Sequence, residues 1–149
     1  MFRILTMIAA LVFVSPALAQ ELPMEYTVEM WNADPNDRSR RMVFSEEVIQ
    51  VAPGATVTWL ATDRGHNVEF VDGPDGVELS AKSKPGQDVT FTLSEPGVYV
   101  YVCSPHATMG MIGIIVVGEA TPEAIAMVTD AKIRGQSAKK FEALLGELD

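Results

Sequence analysis

The stretch from Val98 to Val117, VYVYVCSPHATMGMIGIIVV, contains two apolar runs joined by a short loop. The first run, Val98–Cys103, alternates β-branched and aromatic residues, and the second, Ile112–Val117, is apolar except for Gly113. Both have the length and composition of β-strands. Between and at the ends of these runs lie a thiol, an imidazole and two thioethers, which belong to Cys103, His106, Met109 and Met111.

Outward from this stretch the chain continues as short runs separated by turns. Apolar and polar residues alternate in 55–60 and in 88–93, which is typical of strands with one buried face. Further strand candidates are Tyr26–Trp31, two short pieces within 42–51, and His66–Val71. Seven or eight such strands, with Pro- and Gly-containing turns between them, predict a Greek-key sandwich or a small barrel.

The last part of the chain has helical features. Thr121-Pro122-Glu123 combines a cap residue, a proline and an acid in the order expected at a helix start, and Gly135 is expected to end that helix. Ser137 is expected to open a second helix, with apolar residues at helical spacing at Phe141, Leu144, Leu145 and Leu148. We expect residues 121–149 to pack on the sandwich as a helical extension of one domain.

The first residues have the pattern of a secretory signal. Arg3 precedes an apolar run, Ile4–Val14, and Ala17-Leu18-Ala19 supplies small residues in the order that a signal peptidase recognises. We predict cleavage after Ala19, which leaves residues 20–149 as a single exported domain. The run is too short to span a bilayer, and no later segment is a membrane-span candidate.

Charge and cysteine content narrow the function classes. The formal net charge is −9, which disfavours nucleic acid as a partner because that binding depends on Lys and Arg. The chain has one cysteine, so an intrachain disulfide is excluded. A lone thiol in an oxidising compartment is a liability unless it is buried or bound, which makes Cys103 a residue that needs a role.

A metal site would give Cys103 that role. His66 and His106 are the two histidines of the chain, and the predicted strands allow both to meet Cys103 at one end of a sandwich. Two imidazoles and a thiolate with a weak axial thioether suit both Cu(I) and Cu(II). Met111 follows His106 by five residues, with Gly110 to ease the turn, and Met109 is its competitor as axial ligand.

Three alternatives remain on the residues alone. Zinc would also accept one cysteine and two histidines, although a thioether is a poor zinc ligand. A thiol hydrolase would use Cys103 as nucleophile, but the sequence shows neither an orienting third residue nor an oxyanion-hole motif. A copper-binding or delivery protein would hold the ion without redox cycling.

The same residues carry a family resemblance. Gly65-His66-Asn67-Val68-Glu69, followed by Cys103-Ser-Pro-His106-Ala-Thr-Met109-Gly-Met111, resembles the cupredoxins and, within them, the pseudoazurins. The Cys-x-x-His-x-x-x-x-Met spacing is shared with plastocyanins. The likeness extends from about Tyr26 to the end of the chain and includes the two C-terminal helices.

The resemblance implies an eight-stranded Greek-key cupredoxin sandwich with one type 1 copper at one end. It implies a one-electron carrier and not an enzyme, working in the periplasm. The sequence itself suggests a monomer. Its expected partners are copper nitrite reductase or other denitrification enzymes and c-type cytochromes. The ligands carried over from the family are His66, Cys103, His106 and, in preference to Met109, Met111.

The resemblance also implies how electrons leave. His106 would expose a ring edge within an apolar patch that comprises Pro105, Ala107, Met109 and Gly65. The backbone N–H of Asn67 would support the thiolate, a role that Pro105 cannot fill because it lacks an N–H. One departure is Val102, which stands where family members often carry lysine, and the remaining basic candidates around the patch are Arg64, Lys82 and Lys84.

Overall fold

Two four-stranded sheets and two helices make up the fold. A computed structural model describes residues 21–77 and 82–148, so the predicted leader, residues 1–19, lies outside the described residues. No helix within the described part is long and apolar enough to cross a bilayer. The elements are β1 Glu25–Ala33, β2 Arg41–Phe44, β3 Val48–Val51, β4 Ala55–Leu60, β5 Glu69–Asp72, β6 Val89–Leu93, β7 Gly97–Val102, a 3₁₀ turn Ser104–Met109, β8 Ile112–Val117, α1 Pro122–Val128 and α2 Gln136–Leu145.

The strands form a sandwich in which distant parts of the chain are neighbours. The first sheet has the order β2-β1-β4-β6 and the second β3-β8-β7-β5. Strands β1 and β4 pair in parallel, as do β3 and β8, while the other neighbours are antiparallel. The predicted eight-stranded Greek-key sandwich with two C-terminal helices is confirmed.

The first sheet has one buried face and one exposed to solvent. In β4 the side chains of Ala55, Val57 and Trp59 are fully buried, whereas Thr56 and Thr58 lie on the other face. A sheet with one face on the core and the other in solvent produces this alternation, even though this sheet is mixed and not purely antiparallel. The alternation of apolar and polar residues in 55–60 therefore arises because only one face of this sheet is buried.

The second sheet is covered on both faces, which explains the two unbroken apolar runs. Every residue of β7 and β8 is buried. Tyr99 and Tyr101 point into the core between the sheets, while Val98 and Val100 pack outward in a second apolar cluster. That outer cluster is completed by the helices through Val128, Phe141 and Leu144.

The first helix is shorter than predicted. It ends at Val128 and not at Gly135. The Thr129 hydroxyl donates a 2.9 Å hydrogen bond to the carbonyl of Ala126, and the next backbone bond runs from Ala131 to Val128 in a tight turn. Threonine hydroxyls compete with helical backbone bonding, and this turn brings the chain round to the start of α2.

Candidate metal centre

The 3₁₀ turn after β7 brings His106 back over Cys103. Cys103 has an extended backbone and precedes the turn, whose first residues include Pro105. The N–H of His106 donates to the carbonyl of Cys103 at 2.9 Å, and the N–H of Cys103 donates to the carbonyl of Met111 at 3.0 Å. These bonds close the loop into a small ring, with His106 Nδ1 at 3.4 Å from Cys103 Sγ.

His66 reaches the same point from a different segment. The sequence predicted a strand from His66, but β5 begins only at Glu69. The reason is that the carbonyl of His66 accepts from the N–H of Gly86, and Val68 pairs with Ser83, so residues 66–68 bond to a loop. The His66 ring is fully buried, and its Nδ1 lies 3.6 Å from Cys103 Sγ.

Three donor atoms therefore converge, two imidazole nitrogens and one sulfur. The two Nδ1 atoms are 3.1 Å apart, so the three atoms form a nearly equilateral triangle. A point equidistant from its corners lies about 2 Å from each, which is close to ordinary metal–imidazole bond lengths. The donor set of two imidazoles and a thiolate fits copper of the trigonal type.

The two methionines of the loop lie in different environments. Met111 is fully buried, and its N–H donates to the carbonyl of His106 at 3.3 Å. Met109 is 48% exposed at the end of the 3₁₀ turn. Gly110 between them has a φ of +98°, a conformation that favours glycine, and it turns the chain inward before Met111. This arrangement supports Met111 as the axial candidate.

The side chain of Asn67 joins the two ligand-bearing segments. Its Oδ1 accepts from the N–H of Ser104 at 2.8 Å, and its Nδ2 donates to the carbonyl of Ser83 at 3.2 Å. Ser104 in turn donates its hydroxyl to the carboxylate of Glu69. The family resemblance implied a role for the Asn67 backbone only. The side-chain links to Ser104 and Glu69 were missed because nothing in the residue spacing indicates them.

A second hydrogen-bond chain orients His66. Its Nε2 lies 3.1 Å from Asn32 Oδ1, and the N–H of Asn32 donates to the carboxylate of Asp63 at 2.6 Å. A partner on the outer nitrogen fixes the ring so that the other nitrogen faces the site. Asn32 precedes His66 by 34 residues, and only the pairing of distant strands brings it there.

Burial shifts the pKa values of two of the donor side chains, Cys103 and His66. It raises the pKa of the Cys103 thiol, while the backbone N–H groups of Asn67 and His106 act in the opposite direction by bonding to the sulfur. Burial also lowers the pKa of His66, and the neighbouring His106 adds to that effect. The neutral imidazole is the form that binds a metal, so the shift of His66 favours a ligand role.

The surface beside the site combines apolar groups with basic ones. His106 is partly exposed, and Pro105, Met109 and Gly65 are exposed around it. The predicted basic contacts Arg64, Lys82 and Lys84 are all exposed, and Lys82 also pairs with Glu69 at 3.0 Å.

A basic groove beside Met109 was not predicted. It has a volume of about 500 Å³ and is lined by Met109, Gly110, Arg41, Lys139 and Lys140. Lys140 pairs with Glu47, but Arg41 and Lys139 form no ion pair with any residue in 21–77 or 82–148. No local sequence pattern indicates this groove, because Arg41 and Lys139 are almost a hundred residues apart.

An eight-stranded Greek-key sandwich with a His–Cys–His donor cluster at one end defines a cupredoxin. Residues 32–118 match the family model described as copper binding proteins of the plastocyanin/azurin family. The chain is 37% identical to pseudoazurin of Paracoccus pantotrophus over 113 residues, covering 74% of this chain and 77% of that protein. It is 34% identical to a putative pseudoazurin of Rhizobium leguminosarum bv. viciae, covering 99% of this chain and 93% of the relative.

Solved structures agree with these relatives. A pseudoazurin structure from Sinorhizobium superimposes with a TM-score of 0.76 at 43% identity, covering 84% of this chain and 96% of that one. The pseudoazurin of Methylobacterium extorquens AM1 gives 0.74 at 30% identity, covering 84% and 99%. This chain therefore belongs to the copper-binding plastocyanin/azurin family and, within it, to the pseudoazurins. It is a blue copper electron carrier with one type 1 copper, and not an enzyme.

Proposed function

We propose that this chain is a periplasmic one-electron shuttle whose copper is held by His66, Cys103, His106 and Met111. The observation that carries the proposal is the convergence of two Nδ1 atoms and one Sγ within 3.6 Å of one another. The full burial of Met111, whose backbone bonds to those of Cys103 and His106, supports its place as the fourth, axial ligand. Copper in such a site supplies a couple between Cu(I) and Cu(II) and an intense blue colour through the thiolate.

The protein's own contribution is to hold the donors still. The Asn67 and Asn32 networks fix the two ligand segments and the tautomer of His66. A site whose donors are already in place requires little movement when its charge changes. The partly exposed ring of His106, within an apolar surface, is the proposed point of electron entry and exit.

The proposal includes the route to the periplasm and the organisation of the chain. Residues 1–19 would act as a cleaved signal peptide, leaving residues 20–149 as one domain with 121–149 as its helical extension. The proposed partners are copper nitrite reductase or another denitrification enzyme and c-type cytochromes. They would dock as transient complexes on a monomeric carrier.

Addition of Cu(II) to the purified mature protein tests the function. We expect one equivalent to bind with an intense blue colour that disappears on adding ascorbate and returns on reoxidation. A reversible one-electron wave in voltammetry should accompany the colour. A copper-delivery protein would instead bind the ion with weak colour and release it without reversible cycling, an outcome that would exclude the carrier function.

The choice of axial ligand gives a separate prediction. Met111→Leu should raise the reduction potential by at least about 59 mV, the equivalent of a tenfold change in relative affinity for the two oxidation states. Loss of a donor disfavours Cu(II) more, because Cu(I) tolerates lower coordination. The exchange of methionine for leucine keeps the volume, so folding should be little affected.

Met109→Leu is the matched control for this substitution. Met109 lies two residues from Met111 and is half exposed. The reduction potential and visible spectrum of the Met109→Leu protein should therefore match those of the wild type within error. A larger change from Met109→Leu than from Met111→Leu would show that the axial assignment is wrong.

The basic groove is the proposed side of approach for an acidic partner. Arg41→Glu combined with Lys139→Glu should slow oxidation by the anionic probe hexacyanoferrate(III), and electron transfer to copper nitrite reductase, by about tenfold at low salt. The difference should shrink as ionic strength rises, because screening weakens charge steering.

Arg38→Glu with Lys132→Glu changes the net charge equally and lines no part of the groove. Stopped-flow rates measured over a range of salt concentrations compare the two double variants. Equal slowing in both would indicate an effect of net charge alone and would exclude the groove as a docking side.

A further inference from the structure

Helix α2 begins directly against the loop that bears His106. Gly135, the residue before α2, approaches the backbone of Thr108 so closely that an added Cβ would lie 2.7 Å from its Cα and 2.8 Å from its carbonyl oxygen. The φ of Gly135 is +67°, a region that L side chains rarely adopt. Close approach and conformation both require glycine at this position.

Ser137 adds a hydrogen bond to this contact. Its side chain is fully buried, although serine is usually exposed. The hydroxyl donates to the carbonyl of Ala107, which is the residue after His106. The start of α2 therefore contacts the two residues that follow His106.

The rest of α2 is anchored to the sandwich. Lys140 pairs with the carboxylate of Glu47, and the backbone carbonyl of Glu47 accepts from the N–H of Ile114 at 2.7 Å in β8. Phe141 and Leu144 are buried in the outer apolar cluster. The helix is thus a firm support, tied to the sheet on one side and to the loop on the other.

Bonds to Asn67 and Glu69 hold the loop at its first residue, Ser104. The loop itself is a short 3₁₀ helix in which no side chain is fully buried, and such helices have poorer hydrogen-bond geometry than α-helices. We infer that Ser137 and Gly135 are positioning residues for the copper loop, acting through the backbone of Ala107 and Thr108 to hold His106 over Cys103. This inference rests on the ligand set proposed above. It assigns to α2 a function in the metal centre beyond covering the sheet.

Coupling of this kind is reciprocal. If α2 holds the loop in the arrangement that binds copper, then copper binding must also hold the start of α2. The amide of Ala138, which bonds to the carbonyl of Gly135 at 3.3 Å, reports on that turn. Its hydrogen exchange should be slower in the copper-loaded protein than in the copper-free one.

Ser137→Ala tests the inference in the copper-loaded protein. In the reduced form we expect hydrogen exchange of the His106, Gly110 and Met111 amides to become about tenfold faster. This is the change expected when one buried hydrogen bond is lost. Transfer of copper to a chelator should accelerate by a similar factor, and the reduction potential and blue absorption band should shift measurably. Gly135→Ala should cause the same changes to a larger degree.

Thr129→Ala is the control, because it removes an exposed hydroxyl-to-carbonyl bond at the end of α1, which makes no contact with the copper loop through that bond. It should leave the loop amides, the potential and the spectrum unchanged. If Ser137→Ala lowers only the melting temperature and leaves those three readouts as in Thr129→Ala, Ser137 is structural and the inference is overturned. A wild-type protein that forms no blue centre would instead contradict the proposed function, so the two failures are distinguishable.

Discussion

Replacing Cys103 by serine should abolish the blue absorption and the reversible one-electron wave of the copper-loaded protein. The sulfur is the soft ligand of the proposed set, and serine offers a hydroxyl that remains protonated at neutral pH. Losses of outer partners around a metal already cost about 10–100-fold in affinity, so loss of this ligand should weaken copper binding by at least about a hundredfold. Titration with Cu(II) followed by absorption, with a competing chelator, measures both effects.

The fold should survive this substitution. Cys103 is fully buried, but serine is close to it in size, and the two Nδ1 atoms and the N–H groups of Asn67 and His106 surround the position with partners. The copper-free variant should therefore melt cooperatively near the copper-free wild type. Thr108→Ser, an exposed substitution in the same turn, should leave colour and affinity intact. A blue, redox-active Cys103→Ser protein would exclude the sulfur as a ligand.

Gly113→Ala should strongly destabilise the protein. Gly113 lies opposite Tyr101 in the β7–β8 pair, and the ring of Tyr101 lies across it. An added Cβ would come within 2.5 Å of the Tyr101 oxygen and 2.8 Å of its Cε1. Overpacking in a dense core costs about 3 kcal/mol at the upper end of its usual range, and the melting temperature should fall by about 10 °C.

Two further variants make this prediction specific. Gly146→Ala is the control, since its nearest contact is at 3.4 Å, and it should change stability by less than about 0.5 kcal/mol. Tyr101→Phe should be tolerated alone, because the Tyr101 hydroxyl is buried with no hydrogen-bond partner among residues 21–77 and 82–148. The double variant should recover part of the loss, because the oxygen is one of the atoms in conflict. Purely additive effects in denaturant melts would exclude the steric explanation.

Much of the fold could be predicted from local patterns. Alternation in 55–60 indicated a strand with one buried face, and β4 has that face. The unbroken apolar runs around Cys103 indicated strands, but only the placement of α1 and α2 over the second sheet explains why β7 and β8 lack a polar face. The end of α1 was mispredicted: the helix ends at Val128, where the Thr129 hydroxyl bonds to the carbonyl of Ala126, and not at Gly135.

The candidate ligands could be identified from the chain alone. One cysteine, two histidines and a methionine have the types and spacing of a known copper-binding loop, and ligand preference is a property of residue types. The residues that hold those ligands in place could be found only in the folded protein. Asn32 reaches His66, Ser137 reaches Ala107, and Arg41 and Lys139 line the same groove, across distances in sequence that no local pattern spans. Hydrogen bonds and charge contacts act over a few ångströms, so only the folded arrangement of strands and helices selects them.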